Sequence, residues 1–203
     1  KNHSNLINSI LPNLFFVFLV YGAFIFFENL EITYLWTAGD DWTAFHKYSR
    51  LIVLFDEWIR AGEDVYYYRP GIRYIFAIIH IIFGNSSFTI QLLDLWSILL
   101  SFYLIYLILI KIDISKYLSF ILSSIFLIFI FGESFRWLIG RGLTEYFGTF
   151  VLLLLSYISF KTYYVLNIKF LMICLLVIFT AWLREEKFIA AFSIILLSKN
   201  YII

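Results

Sequence analysis

The stretch Phe88–Ile110, FTIQLLDLWSILLSFYLIYLILI, decides the fold class. It is apolar throughout, with Asp94 as its one charge. A transmembrane helix needs about 20 mainly apolar residues. An unbroken run fits such a helix, whereas a β-barrel strand would alternate. Further runs lie on either side: Leu11–Phe27 before it, then Tyr117–Phe131, Leu143–Phe160, Ile168–Leu183 and Phe188–Ile203. The expected fold is an all-α integral membrane protein with about six transmembrane helices. Residues 1–203 read as a single membrane domain, with a long first outer loop over about 30–87 that carries interfacial helices.

Composition leads to the same class. Of 203 residues, 63% are hydrophobic and 14% charged, against about 45–50% apolar and 25% charged in an ordinary globular domain. Mean hydropathy is +0.90. The net charge of +1 supplies no basic field for nucleic acid, so no nucleic-acid partner is expected. The lone cysteine, Cys174, cannot close an internal disulfide. The first apolar run lacks an A-x-A-like cleavage site and reads as a retained anchor. The chain opens on Lys1 and stops inside an apolar stretch, so it is expected to be part of a longer membrane protein.

Ile72–Phe83 is the ambiguous segment. It is apolar but short, and it carries Arg73 and His80. Apolar segments of about 10–14 residues are more often re-entrant or interfacial than spanning. With this segment outside the count of spans, six Lys and Arg residues fall on the starting side and nine opposite, against the simple positive-inside rule. Five of those nine lie in Leu30–Ser87, and long loops carry little weight in that rule. The short loops that remain, with Lys111, Lys116, Lys161 and Lys169, favour a cytoplasmic N-terminus. The same arrangement puts all seven arginines on the outer side. Arginine forms bidentate pairs with phosphate and carboxylate, although outer arginines pairing with outer acids would also account for the pattern.

The outer loop contains "TAGDDWTAFHKYSRLIVLFDEWIRAGEDVYYYRPGIRYIFAIIHIIFGN". Trp42, Phe45, Leu51, Ile52, Phe55 and Ile59 recur close to a helical period. An amphipathic helix is expected over Trp42–Arg60, ended by Gly62, with Trp42, Tyr48 and Trp58 suited to the membrane interface. Capping explains one of Asp40 and Asp41. Two adjacent carboxylates just outside a membrane can also hold a divalent cation or act as a general base. Asp94, with Gln91 one turn away, is expected to face the bundle interior. His46 and His80 read as interfacial or packing residues rather than ligands, since nothing at metal-ligand spacing surrounds either.

In order, "GDDW", "AGED", "YYYRPGIRYIFAIIH", "FGNSSF", "GRGLTEYFGTF" and "WLREEKFIAAF" resemble the N-terminal half of GT-C superfamily membrane glycosyltransferases. The closest types are the protein O-mannosyltransferase and aminoarabinose-transferase-like enzymes. "RPGIRY" departs from relatives that often show two prolines, which leaves sugar and acceptor open. The resemblance implies transfer of a sugar from a polyprenyl-phosphate donor to a hydroxyl of a glycan, lipid or protein acceptor. The place would be the outer face of a bacterial inner (plasma) membrane. It implies Asp40 or Asp41 as the base, Glu145 as a second acid, and Arg136, Arg141 and Arg184 as phosphate-binding cations. Arg69 and Arg73 are alternative donor contacts. No cofactor is certain; a divalent cation, if one takes part, would sit at Asp40 and Asp41. Locally, Arg141 and Glu145 could be no more than an i,i+4 ion pair, and Glu185 and Glu186 read as partners of Arg184 and Lys187.

Two other readings stay open on the residues. One is a polyprenyl-linked glycan enzyme of the O-antigen polymerase or ligase type, whose large outer loop usually comes later in the chain. The other is a non-enzymatic transporter or scaffold subunit, in which midplane polar sites or repeats would be more usual.

Overall fold

The computed structural model describes residues 40–63, 70–84, 87–131, 144–160 and 168–199. Among these residues every element is an α-helix: α1 Asp40–Phe55, α2 Trp58–Glu63, α3 Gly71–Phe83, α4 Ser87–Lys111, α5 Lys116–Phe131, α6 Thr144–Ser159, α7 Ile168–Leu183 and α8 Glu185–Lys199. The expected first span, Leu11–Phe27, lies outside the described residues. Among the described residues one helix, over Thr89–Lys111 in α4, is long and apolar enough to cross a membrane. Gly71–Phe83, Lys116–Phe129, Glu145–Ser159 and Ile168–Leu183 form shorter apolar helices.

Side-chain contacts fix the direction of each long helix. Lys111, at the end of α4, donates to the carbonyl of Tyr157 at 2.8 Å and lies over the Tyr157 ring. α4 and α6 therefore run parallel. Lys187 reaches Glu145 and Thr149 near the start of α6, and Leu155 and Ala191 share a core cluster further along, so α8 is parallel to α6. α7 is antiparallel to both, because Ile173 joins that same cluster while Leu183 packs with Val151. α5 returns against α4, with Phe102 meeting Phe120 edge-on at 6.3 Å. One end of the bundle thus collects the starts of α4, α6 and α8 and the finish of α7. The other collects Lys111, Lys116 and Lys169.

The return from α4 to α5 is tight. Asp113 takes a φ of 67°. Its N–H donates to Ile110 O at 3.0 Å, and the Ile114 N–H to Leu109 O at 3.1 Å. These two bonds make a Schellman ending, in which an aspartate fills the position usually given to glycine. α5 buries Ser119, Ser123 and Leu127, spaced four apart on one face. Small residues let helices approach closely where lipid supplies no hydrophobic drive. The hydroxyls are satisfied locally, that of Ser119 at Ile114 O just before the helix at 3.3 Å and that of Ser123 at Phe120 O at 3.0 Å. The opposite face of α5 exposes Ile121, Ile125, Ile128 and Phe129, and α7 exposes Leu171, Leu175 and Ile178. Such continuous apolar faces suit contact with lipid or a partner rather than water.

α3 does not pass along the bundle. Its first residue, Gly71, abuts the Trp182 backbone at the end of α7, and Gly84 after its last turn leads within three residues to the start of α4. Both ends therefore lie at the same end of the bundle. α1, α2 and α3 form a layer over that end. Phe45 from α1 and Ile72 and Phe76 from α3 join Ile90, Val151 and Leu183 in one core.

Three details of the loop differ from expectation. The amphipathic helix does not run unbroken to Arg60: it stops at Phe55 and restarts at Trp58. Asp56 adopts a left-handed φ of 58°, which aspartate tolerates better than most residues, and its carboxylate accepts the Trp58 indole N–H. Phe55 and Ile59 consequently turn outward, at 66% and 74% exposure. Gly62 lies inside α2 rather than ending a helix; a Cβ there would stand 2.5 Å from the Tyr74 hydroxyl. Tyr48 is buried against α3 instead of sitting at an interface.

Candidate functional site

Arg184 alone connects α7 to α8. Its N–H still donates to Thr180 O at 2.9 Å, closing α7, and its carbonyl accepts the Lys187 N–H at 3.2 Å, opening α8. Thr180 and Leu183 are fully buried beneath this corner. The guanidinium reaches out to the start of α6, where Arg184 Nη1 meets Glu145 Oε1 at 2.9 Å. Glu186 is a more distant partner at 3.7 Å. Glu145 stands in the first turn of α6, where the helix dipole favours an acid. The pair is partly open, with side chains 23% and 32% exposed. Yet Glu145 Oε2 and Arg184 Nε are themselves buried and have no hydrogen-bond partner among the described residues.

Lys187 completes the corner. Its amine donates to the Glu145 carbonyl at 3.3 Å and to the Thr149 hydroxyl at 3.4 Å. Its stem lies over Gly148, where a Cβ would come within 2.6 Å of Cε and 2.7 Å of Cδ. The sequence offers Glu185 and Glu186 as partners of Arg184 and Lys187; Glu186 does meet Arg184, the Glu185 side chain lies outside the described residues, and the Lys187 amine turns to α6. The signal that could have revealed this is Gly148, three residues after Glu145 and on the same helix face.

Asp94 faces the interior as expected: it is 1% exposed and Gln91, one turn earlier, 4%. Tyr146, next to Glu145, feels the charge of both Asp94 and Glu145.

Arg73 occupies a different place. It is fully buried, donates to Ala61 O at 2.6 Å and lies over the Tyr48 ring at 4.5 Å. These contacts tie α3 to α2 and α1. His46 and His80 face each other across the α1–α3 contact with ring centroids 6.1 Å apart. His46 also packs on Phe76 at 5.2 Å, and His80 Nδ1 bonds Gly84 O at 3.2 Å. Burial, then the neighbouring His80 and Arg50, lowers the His46 pKa to about 4. Burial also lowers that of His80, against the bond to Gly84.

Of the residues singled out from sequence, the structure brings Glu145 and Arg184 together and keeps Arg73 in the covering layer. Asp40 and Asp41 begin α1, about 7 Å along the helix from Phe45, which packs with Leu183. Their side chains, and all of Arg69, Arg136 and Arg141, lie outside the described residues. Among the described residues no group of three or more His, Cys, Asp or Glu could hold a metal ion. Comparison with protein-family models, curated proteins and solved structures gives no match to this chain.

Proposed function

We propose that this chain is the N-terminal part of a GT-C-type glycosyltransferase that moves a sugar from a polyprenyl-phosphate donor to an acceptor hydroxyl at the outer face of a membrane. In this reading α4 to α8 and the first apolar run are six spans. α1 to α3 lie at the outer interface, and the N-terminus is cytoplasmic. The observation that carries the reading is the Glu145–Arg184 contact. These residues are distant in sequence and come from separate helix ends, yet they meet at 2.9 Å. Capping and local ion pairing do not require such a meeting. A transfer site does, because acid and cation must act on one reacting centre.

The roles follow from the chemistry. Asp40 or Asp41 takes the acceptor proton. Arg184, with Arg136 and Arg141 from the second outer loop, stabilises the departing lipid phosphate. Glu145 orients the acceptor. The exposed faces of α5 and α7 contact lipid, and a lipid-borne donor would arrive from that side. The test is transfer by the full-length protein in nanodiscs, supplied with radiolabelled polyprenyl-phosphate sugars. Asp40→Asn, Asp41→Asn and Glu145→Gln are compared with the parent, each checked for folding. At least one aspartate variant should lose 100-fold or more of the rate, the usual order for a general base. Near-normal transfer by both would remove the base assignment. Absence of transfer and of donor binding by the parent would remove the enzyme reading.

A further inference from the structure

Lys187 stands where its own helix does not favour it. It is in the first turn of α8, and a cation near a helix N-terminus opposes the dipole. Its amine is turned instead to the first two turns of α6, where the Glu145 carbonyl and the Thr149 hydroxyl accept from it. The Thr149 hydroxyl in turn donates to that same carbonyl at 2.7 Å. The bare backbone of Gly148 admits the lysine stem. Glu145 is thus gripped twice from one corner: its carboxylate by Arg184 and its carbonyl by Lys187.

We infer that Lys187 is a positioning residue, which fixes the first turn of α6 so that Glu145 presents Oε2 to the acceptor while Oε1 stays on Arg184. This rests on the proposed transfer reaction. It assigns Lys187 no contact with the donor phosphate: both hydrogen bonds that its amine makes go to α6.

Two variants separate positioning from donor binding. Lys187→Met keeps the stem and removes the amine. Gly148→Ala keeps the amine but pushes the stem off α6. Both should lower kcat at least 10-fold, leave KM for the polyprenyl-phosphate sugar within about twofold and move the acidic limb of the pH–rate profile. Both should also speed amide exchange over Glu145–Thr149. A donor KM raised 10-fold or more with kcat unchanged would make Lys187 a donor ligand and overturn the inference. So would unchanged exchange at Glu145–Thr149 in both variants. If the parent transfers no sugar, exchange still decides the grip on α6: faster exchange in both variants keeps that grip while the transfer reading alone falls.

Discussion

Gly71 shows how a single residue sets the seating of the covering layer. A Cβ at this position would stand 2.8 Å from the Trp182 carbonyl oxygen and 3.1 Å from its carbon. Those are backbone atoms at the end of α7 and cannot swing aside. Tyr74 continues the contact, stacking on Trp182 at 5.2 Å and on Trp58 at 6.1 Å. Gly71→Ala should therefore cost about 1–3 kcal/mol, the usual range for overpacking, and lower the midpoint of thermal unfolding in detergent. An unchanged midpoint would mean that α3 is not seated on α7 in this way. Sequence revealed some single residues and not others. Asp94 and Gln91 were readable as interior because an acid inside an apolar run has to avoid lipid. Tyr48 was not, because an aromatic next to charged residues looks the same whether it faces an interface or lies beneath a buried arginine. Lys187 was hidden for the same reason: adjacent glutamates offered it nearer partners than a helix 38 residues away in sequence.

At the scale of elements, the contact between α1 and α3 carries a pH dependence. His46 and His80 are both buried there, at 9% and 3% exposure. Arg50 bears on both rings, Arg73 lies on α3 against Tyr48, and Lys47 follows His46 in α1. Above pH 6.5 His46 is neutral folded or unfolded and contributes no slope. Between pH 6.5 and about 4 the unfolded chain holds a proton that the folded chain excludes. Stability then falls by about 1.4 kcal/mol for each unit of acidification. Below about 4 both states are protonated and the contribution levels off. The lowered His80 pKa acts in the same direction. His46→Gln should accordingly show a shallower loss of thermal stability from pH 7 to 5 than the parent. Equal slopes would contradict burial of a neutral imidazole between α1 and α3. The helices themselves were legible where apolar runs end on charge, as at Lys111 and Lys116. The break at Asp56 was not, because the apolar period from Phe45 to Ile59 continues across it. What interrupts the helix is a backbone conformation, a φ of 58°, and that leaves no mark on hydrophobic spacing.

At the scale of the whole molecule, the deciding feature is that both ends of α3 lie at one end of the bundle. α3 has 13 residues and is about 20 Å long, short of the roughly 30 Å of a hydrocarbon core. Charge counting alone could not establish the sidedness, since most of the cations expected on the outer side lie in one long loop to which the positive-inside rule gives little weight. Parallel α4, α6 and α8 show which charges share an end: they put Glu145, Arg184 and Lys187 at the end opposite Lys111, Lys116 and Lys169. Single cysteines placed in a Cys174→Ser background measure this directly. With a membrane-impermeant maleimide, Glu63→Cys and Glu186→Cys should label from the same side of sealed vesicles, and Lys116→Cys and Lys169→Cys from the other. If α3 crossed the bilayer, Glu63 and Glu186 would label from opposite sides. α1 would then be parted from the corner at Arg184, and Asp40 and Asp41 could not serve a centre that Glu145 and Arg184 also face. The labelling pattern thus bears on chemistry as well as topology, because a base and a cation separated by a membrane cannot act on the same bond.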